Sequence, residues 1–280
     1  MRNKEKFLKE KFKSKDKILY EKAIFMNSLY KKNPTELKNN FLPHGWHWIY
    51  FNENIPSVAL AEDGHLERGK FIPKLSGYKR MYAGGDLVFK KDIKFGDTLN
   101  KISFIVSITK KMKEKHNLYF IKKKNVYKVR NTTYLEEIQN LVFIKNSYKP
   151  NSLNTISYKS LRDVILKKKI KFGNVELFKF SALTFNAHRI HYDYEYTNKY
   201  EGYKNLLVHG PLLAVLVLDN IREKNLTVQV FFFKILSSIF VNQEFYLKIF
   251  TTTEKNKFKA FLLKEDLKTI LFYSEFKTTN

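Results

Sequence analysis

LLVHGPLLAVLVLDNI, Leu206 to Ile221, is the run that decides the fold of this 280-residue chain. From Pro211 onward it contains no glycine and is apolar all round, so it reads as a buried helix. Pro211 sits where a first-turn proline is tolerated, because its missing N–H would have no helical partner there. Four strand-like runs follow: VQVFFFKIL, IFVNQEFYLKIFTTTEK, KFKAFLLKED and LKTILFYSEF. A helix followed by consecutive strands predicts an α+β fold, with an antiparallel sheet packed on the helix.

The first half carries the same theme more faintly. DLVFKKDIKFGDTLNKISFIVSITKK, Asp86 to Lys111, has short β-branched and aromatic runs around a Gly96-Asp97 turn. KKMKEKHNLYFIKKKNVYKVR, Lys110 to Arg130, reads as two basic strands with solvated faces around a Lys-Asn turn. YLEEIQNLVFIK, Tyr134 to Lys145, alternates less cleanly and is read as a strand or a short helix. Residues 146–160 read as a linker. KFGNVELFKFSALTFNAHRIHYD starts with strand character and runs into a histidine-rich loop, and YEYTNKYEGYKN is a loop or short helix. Asn52 to Tyr78 is long, irregular and rich in turn residues, a kind of segment that is often functional inside a folded chain.

The chain holds 52 Lys+Arg against 27 Asp+Glu, a net charge of +25, and 44% of it is apolar. That much apolar content excludes a disordered chain. The absence of cysteine excludes disulfide scaffolds, Cys-based zinc sites and cysteine nucleophiles. The positive charge suits a polyanion: nucleic acid, an anionic membrane surface, the phosphates of coenzyme A or an acidic carrier protein. A basic nucleic-acid or membrane-surface binding module is therefore the alternative of another class, although no RNP, KH or zinc-finger pattern accompanies the charge, and nucleic acid is not the expected partner. PLLAVLVL, Pro211 to Leu218, is far shorter than the roughly 20 residues a transmembrane helix needs. The N-terminus is basic and has no apolar signal core, while Glu5, Glu10, Asp16 and Glu21 make it a poor transit peptide.

Six of the seven histidines fall within Phe41–His65 or Asn186–Gly210. His188 and His191 are three apart, and His209 stands at the mouth of the buried helix. A helix N-terminus presents unpaired N–H groups and a partial positive charge, which suits an oxyanion. A histidine beside it can move a proton next to a carbonyl. The bland reading makes each of these an ordinary loop or helix-start histidine. H-x-x-H without Cys or paired carboxylates is weak for zinc, so no metal is expected. G-x-S-x-G, G-x-G-x-x-G and G-x-x-x-x-G-K are all absent.

FSALTFNAHRIHYDYEY, Phe180 to Tyr196, followed by EGYKNLLVHGPLLAVLVLD, Glu201 to Asp219, resembles the hydroxyacyl-thioester dehydratase type 2 / mesaconyl-CoA hydratase family, relatives of the R-specific enoyl-CoA hydratases. LPHGWHWIYF, the Asp63–His65 turn, GKFIP and RMYAGGDLVF extend the resemblance over roughly residues 41–260. It implies a tandem hot-dog, each module a curved antiparallel sheet wrapped around a central helix. Residues 1–40 are then a basic lead-in and candidate targeting segment, 41–155 a non-catalytic module and 156–280 the catalytic one. The tandem would stand in for a homodimer.

The resemblance also implies a hydro-lyase that interconverts (3R)-3-hydroxyacyl and trans-2-enoyl thioesters, without a cofactor, on acyl carrier protein or CoA. The chain's length resembles the fungal mitochondrial member of type II fatty acid synthesis, so a mitochondrial location is expected, with a cytoplasmic one as alternative. The superfamily's catalytic histidine falls on His191 and its helix-start glycine on Gly210. Its aspartate falls on Asn186, which cannot take a proton. His188 or Asp193 would orient His191, with His209 supporting. The enzyme alternative is a mesaconyl-CoA-type dicarboxylyl-CoA hydratase, for which Arg189 is the candidate carboxylate partner.

Overall fold

The computed structural model describes residues 4–29, 37, 40–69, 71–113, 116–145, 155 and 161–279. Among the described residues, ten antiparallel strands form one sheet. In chain order they are β1 Lys11–Lys17, β2 Tyr78–Phe89, β3 Thr98–Lys113, β4 His116–Val129, β5 Thr132–Lys145, β6 Leu161–Lys171, β7 Val228–Ile235, β8 Glu244–Thr252, β9 Lys257–Leu263 and β10 Ile270–Thr278. The helices are α1 Lys4–Lys9, α2 Tyr20–Asn27, α3 Asn174–Thr184, α4 Tyr194–Lys199 and α5 Gly210–Arg222.

The spatial order is β1-β3-β4-β5-β2-β7-β10-β9-β8-β6. Read inward from either edge, the two halves have the same topology, with β1 to β5 answered by β6 to β10. They join where β2 pairs antiparallel with β7, from Gly84 opposite Lys234 to Val88 opposite Val230. Gly84, at φ +134°, is needed there, because a Cβ would stand 2.1 Å from the Phe233 carbonyl oxygen. This repeat is the tandem hot-dog expected from the sequence.

The helix read from Leu206–Ile221 is α5. Every residue from Leu212 to Ile221 is buried, and the helix packs on β7 and β2. At roughly 1.5–3 kcal/mol for each fully buried large apolar side chain, this face is a main source of stability. Trp46 Nε1 donates to Asp219 Oδ1 at 3.0 Å and ties the first module to the far end of the helix.

The sequence reading needs correction at several places. β1 pairs with β3 along its whole length, so part of the basic lead-in belongs to the first sheet and occupies the place of β6. Lys124 and Asn125 are not a turn; they lie within β4, which is joined to β3 between Lys113 and His116. Tyr134–Lys145 lies within a strand. FGNVELFKFSAL does not open as a strand but forms α3, whose buried Leu177, Phe180 and Ser181 follow helical spacing; Glu176 accepts from the Gly173 N–H at 2.9 Å and caps it. The linker lies outside the described residues except for Thr155, which bridges to Thr269.

The two modules differ most where the second carries α5. Among its described residues the first runs irregularly from Asn52 to Gly77 at the corresponding place, with a 3-10 turn at Ser57–Ala59. Pro56, Gly64, Gly69, Pro73 and Gly77 explain why no helix forms there. Space that a central helix would fill is left open. Among the described residues, no helix is long and apolar enough to cross a membrane.

Candidate active site

That space is a cavity of about 810 Å³, lined from both modules. The second module contributes Asn186, His188, His191, His209 and Gly210. The first contributes Gly64, His65, Arg68, Arg80, Lys101 and Lys123.

The histidine loop is built by local hydrogen bonding. α3 ends at Phe185, which takes a left-handed conformation with φ 49°. Asn186 Oδ1 accepts from the His188 N–H at 3.1 Å and closes the next turn. A 3-10 turn over Arg189–His191 then places His191 inward. Asp193 caps α4 by accepting from the Tyr196 N–H at 2.9 Å, and it pairs with Arg189 at 2.7 Å. Arg189 also stacks on the Tyr196 ring at 4.2 Å. Asp193 and Arg189 therefore satisfy each other. Neither orients His191, and Arg189 is not among the residues lining the cavity.

The Leu207 carbonyl orients His191. It lies 2.8 Å from Nδ1, and a carbonyl only accepts, so Nδ1 carries the hydrogen. Nε2 of the neutral ring is then a lone pair. Burial pushes the His191 pKa down to about 4 despite the Leu207 hydrogen bond, so the ring is neutral at pH 7. His209 stacks on it, with ring centroids 3.6 Å apart, and holds its own place through Ser181, whose Oγ is 2.8 Å from Nε2. His188 lies edge-on to His191 at 5.5 Å. Burial also holds His188 and His209 well below the ordinary histidine range.

Gly210 begins α5, with His209 as the N-cap and Pro211 in the first turn. The helix start thus opens on the cavity beside His191. A Cβ on Gly210 would stand 2.5 Å from Ile235 Cδ1 and 3.1 Å from Tyr82 Cδ1. A side chain there would have to displace the flexible end of Ile235 and crowd the Tyr82 ring at the module junction.

The residues that motif matching left without a role are in the Asp63–Arg68 turn. Asp63 accepts from the His65 N–H at 2.9 Å and from Arg68 at 3.2 Å. His65 Nδ1 faces Asp63 Oδ2 at 3.3 Å, a close apposition without hydrogen-bond alignment. Burial, reinforced by Arg80, pushes the His65 pKa down to about 4 against the pull of Asp63. Burial pushes the Asp63 carboxyl up, but His65 and Arg68 more than offset it and hold it well below the carboxylate range. The His65 ring lies 4.0 Å from that of His188. The signal in the sequence was an Asp-Gly turn followed by histidine inside an unusually long irregular stretch.

Asp63, His65 and His188 also bring possible metal-ligating atoms within 4.8 Å of one another. Arg68 already occupies the carboxylate, and the charge of Arg80 acts on both histidines. Two guanidiniums beside the group oppose a divalent cation, so the donor set does not fit a metal well.

The two turns are pressed together. The Arg189 N–H donates to the Asp63 carbonyl at 3.1 Å. Gly64 has φ +85°, and a Cβ there would lie 1.7 Å from the Ala187 carbonyl oxygen. Gly64→Ala is therefore expected to cost at least about 1–2 kcal/mol for the left-handed backbone alone, and to lower turnover by displacing the histidine loop. Urea denaturation checks this; an unchanged midpoint would contradict it.

The repeated five-strand topology defines a double hot-dog. A MaoC-like dehydratase from Phytophthora capsici superposes with TM-score 0.72 at 12% identity, over 99% of this chain and 98% of that one. A Mycobacterium tuberculosis protein described as a double hotdog fold superposes with TM-score 0.58 at 10% identity, over 96% and 95%. These likenesses concern the fold.

The family follows from sequence. The profile of hydroxyacyl-thioester dehydratase type 2 matches residues 45–241, and the chain belongs to that family. The mesaconyl-C(4)-CoA hydratase of Chloroflexus aurantiacus is 36% identical over 182 residues, 65% of each chain. The mitochondrial hydroxyacyl-thioester dehydratase type 2 of Schizosaccharomyces pombe is 27% identical over 242 residues, 74% of this chain and 77% of that one. Hydratases and dehydratases of this kind are hydro-lyases, the reaction class expected from the sequence.

Proposed function

We propose that this chain interconverts (3R)-3-hydroxyacyl thioesters and trans-2-enoyl thioesters plus water. One observation carries the reading. His191 is fixed by the Leu207 carbonyl, so its Nε2 lone pair is free to act in a cavity that also holds the start of α5.

The chemistry follows from those two groups. A thioester acidifies the hydrogen on C2. As that proton leaves, negative charge grows on the carbonyl oxygen, where the Gly210 N–H and the helix N-terminus stabilise it. His191 Nε2 takes the proton, the C2–C3 double bond forms and the C3–O bond breaks. In a syn elimination the same imidazole hands the proton to the departing oxygen, which leaves as water. Asn186 supports the loop and takes no proton. A single active cavity serves both modules, which lets the tandem stand in for a homodimer.

The net charge of +25 suits a negatively charged carrier, either an acidic acyl carrier protein or CoA. The mitochondrial name of the fission-yeast relative supports the same location here, and the family resemblance implies a role in type II fatty acid synthesis. The direct test is hydration of crotonyl-CoA and of the same acyl group on acyl carrier protein. Rim charge acts chiefly on association and its salt dependence, so kcat/KM on the carrier-bound substrate should fall more steeply with salt than on a short neutral thioester. Equal slopes would remove this role for the charge.

A specific observation favours a second reading. The side chains of Arg80 and Lys123 line the cavity and make no hydrogen bond or ion pair among the described residues, although Lys123 Nζ stands over the Phe71 ring at 5.4 Å. Burial lowers Arg80 to about 10 and, together with Lys101, Lys123 to about 8. Desolvated cations whose carboxylates, Asp63, Glu53 and Glu137, act only at a distance favour an anionic ligand. This wall suits a carboxylate-bearing acyl group, the class named in the Chloroflexus relative. Under this reading mesaconyl-CoA is turned over faster than crotonyl-CoA, and Arg80→Met abolishes that preference. Indifference of both substrates to Arg80→Met removes it.

A further inference from the structure

Addition of water to an enoyl thioester needs two acceptors for the two hydrogens of that water. One is the base that passes its proton to C2. The other must hold the second O–H so that a lone pair of the oxygen points at C3. His191 Nε2 can be the first. Asn186 stands where a second acceptor is expected, but its Oδ1 already receives the His188 N–H at 3.1 Å, and an amide oxygen is a weak acceptor beside a carboxylate.

We infer that the second acceptor is His65, supplied by the first module and set by Asp63. The His65 ring lines the same cavity as His191 and lies against His188, which in turn lies against His191. Nδ1 faces Asp63 Oδ2 at 3.3 Å. Even without an aligned hydrogen bond, the negative carboxylate at that distance favours the tautomer with hydrogen on Nδ1 and leaves Nε2 as a lone pair. No protein group among the described residues hydrogen-bonds to Nε2. Asp63 is itself anchored by Arg68 and by the His65 backbone N–H. The docking of the two turns, through Gly64 on Ala187 and Arg189 on Asp63, fixes His65 relative to the histidine loop.

The step balances with both rings neutral. In hydration, the water gives one proton to His191 Nε2 as its oxygen bonds to C3, and the C2–C3 π electrons move to C2 and the thioester oxygen. His191 returns that proton to C2. The second O–H stays intact throughout, donating to His65 Nε2, and becomes the hydroxyl of the product. Dehydration is the reverse. His65 is thus a catalytic residue that moves no proton, and Asp63 a positioning residue that selects its tautomer. The first module is then part of the active centre, where the sequence reading made it a scaffold.

This inference rests on the proposed hydratase activity, and wild-type turnover of crotonyl-CoA is the control that separates the two. If the wild type fails, the activity itself is wrong. With the wild type active, His65→Ala should lower kcat by about 10²-fold, the scale for loss of one preorganised hydrogen-bond partner at a reacting centre, with KM changed less than about threefold. Asp63→Asn keeps the shape of the turn and can still accept the His65 backbone N–H. Its amide donor, however, faces Nδ1 and drives the hydrogen to Nε2, so kcat should fall about tenfold or more with KM changed less than about threefold, while the melting temperature falls modestly because the same amide also faces Arg68. A purely structural role would instead move the melting temperature and KM together. Folded variants that both keep kcat within twofold of wild type would overturn the inference. So would loss of wild-type activity on chelation with recovery on added zinc, because His65 would then be a ligand.

Discussion

His191→Ala should lower hydratase turnover by roughly 10²–10⁴, the usual scale for loss of a proton-transfer group. The replacement leaves an acceptor-free cavity wall where Nε2 stood and leaves the Leu207 carbonyl without its donor. Stability should fall modestly, because one buried hydrogen bond is lost. The informative reading is kcat on a variant shown to be folded by circular dichroism. His188 does not substitute, because no carbonyl or carboxylate fixes its tautomer among the described contacts and its ring lies edge-on to His191. His209 does not substitute either, since Ser181 engages its Nε2. A folded His191→Ala enzyme with near-normal turnover would move the proton transfer to another group.

Glu137→Ala should be the most destabilising single change. Glu137 is fully buried in the first module. It accepts from Trp48 Nε1, Asn125 Nδ2 and Tyr127 OH, each at 2.7 Å, and from Gln139 Nε2 at 2.6 Å. His47 Nε2 stands 3.8 Å away, too far for a hydrogen bond. Removing the carboxylate strands several buried donors at once, so a loss of about 3–5 kcal/mol is expected, a large share of a typical domain's stability. Glu137→Gln retains one acceptor oxygen and should cost less.

The same group gives a pH dependence. Burial pushes its carboxyl up, but His47, Trp48 and Asn125 more than offset this and hold it well below the ordinary value of 4.5. Its contribution is fully present above that pH and is lost as pH falls below it. The buried histidines act in an earlier window. With His65 and His191 lowered from 6.5 to about 4, the unfolded chain binds more protons between those values, and stability falls with pH there by about 1.4 kcal/mol per unit for each. Urea midpoints from pH 7 down to about 2 should show the histidine-linked decline first. The additional Glu137 step should be absent in Glu137→Gln.

What could be read from the sequence differs by element for physical reasons. α5 was legible because a helix that is apolar all round has few other readings. The strands of the second half were legible because each is bounded by turn residues. α3 was misread because Val175 and Phe178 are exposed and blur the helical spacing of Leu177, Phe180 and Ser181 into something like strand alternation. The β3–β4 turn was misplaced because Asn125 looks like a turn residue; its role, a buried bond to Glu137, depends on a strand elsewhere in the sequence.

In the site, motif matching placed His191 and Gly210 on the cavity. It could not find what holds them. The Leu207 carbonyl is a backbone group with no sequence signature. Asp193 and Arg189 are close to His191 in sequence but satisfied by each other. The opposite wall comes from the first module, with Asp63 to Arg80 more than a hundred positions upstream of His191, and the β2–β7 pairing and the docking of the Gly64 turn on Ala187 bring it into reach.

The central claim is tested most directly by incubating the wild-type chain with crotonyl-CoA in deuterated water and analysing the product by mass spectrometry and chiral chromatography. The account predicts (3R)-3-hydroxybutyryl-CoA with one deuterium at C2, formed by syn addition. No hydration, or a product of (3S) configuration, would contradict it.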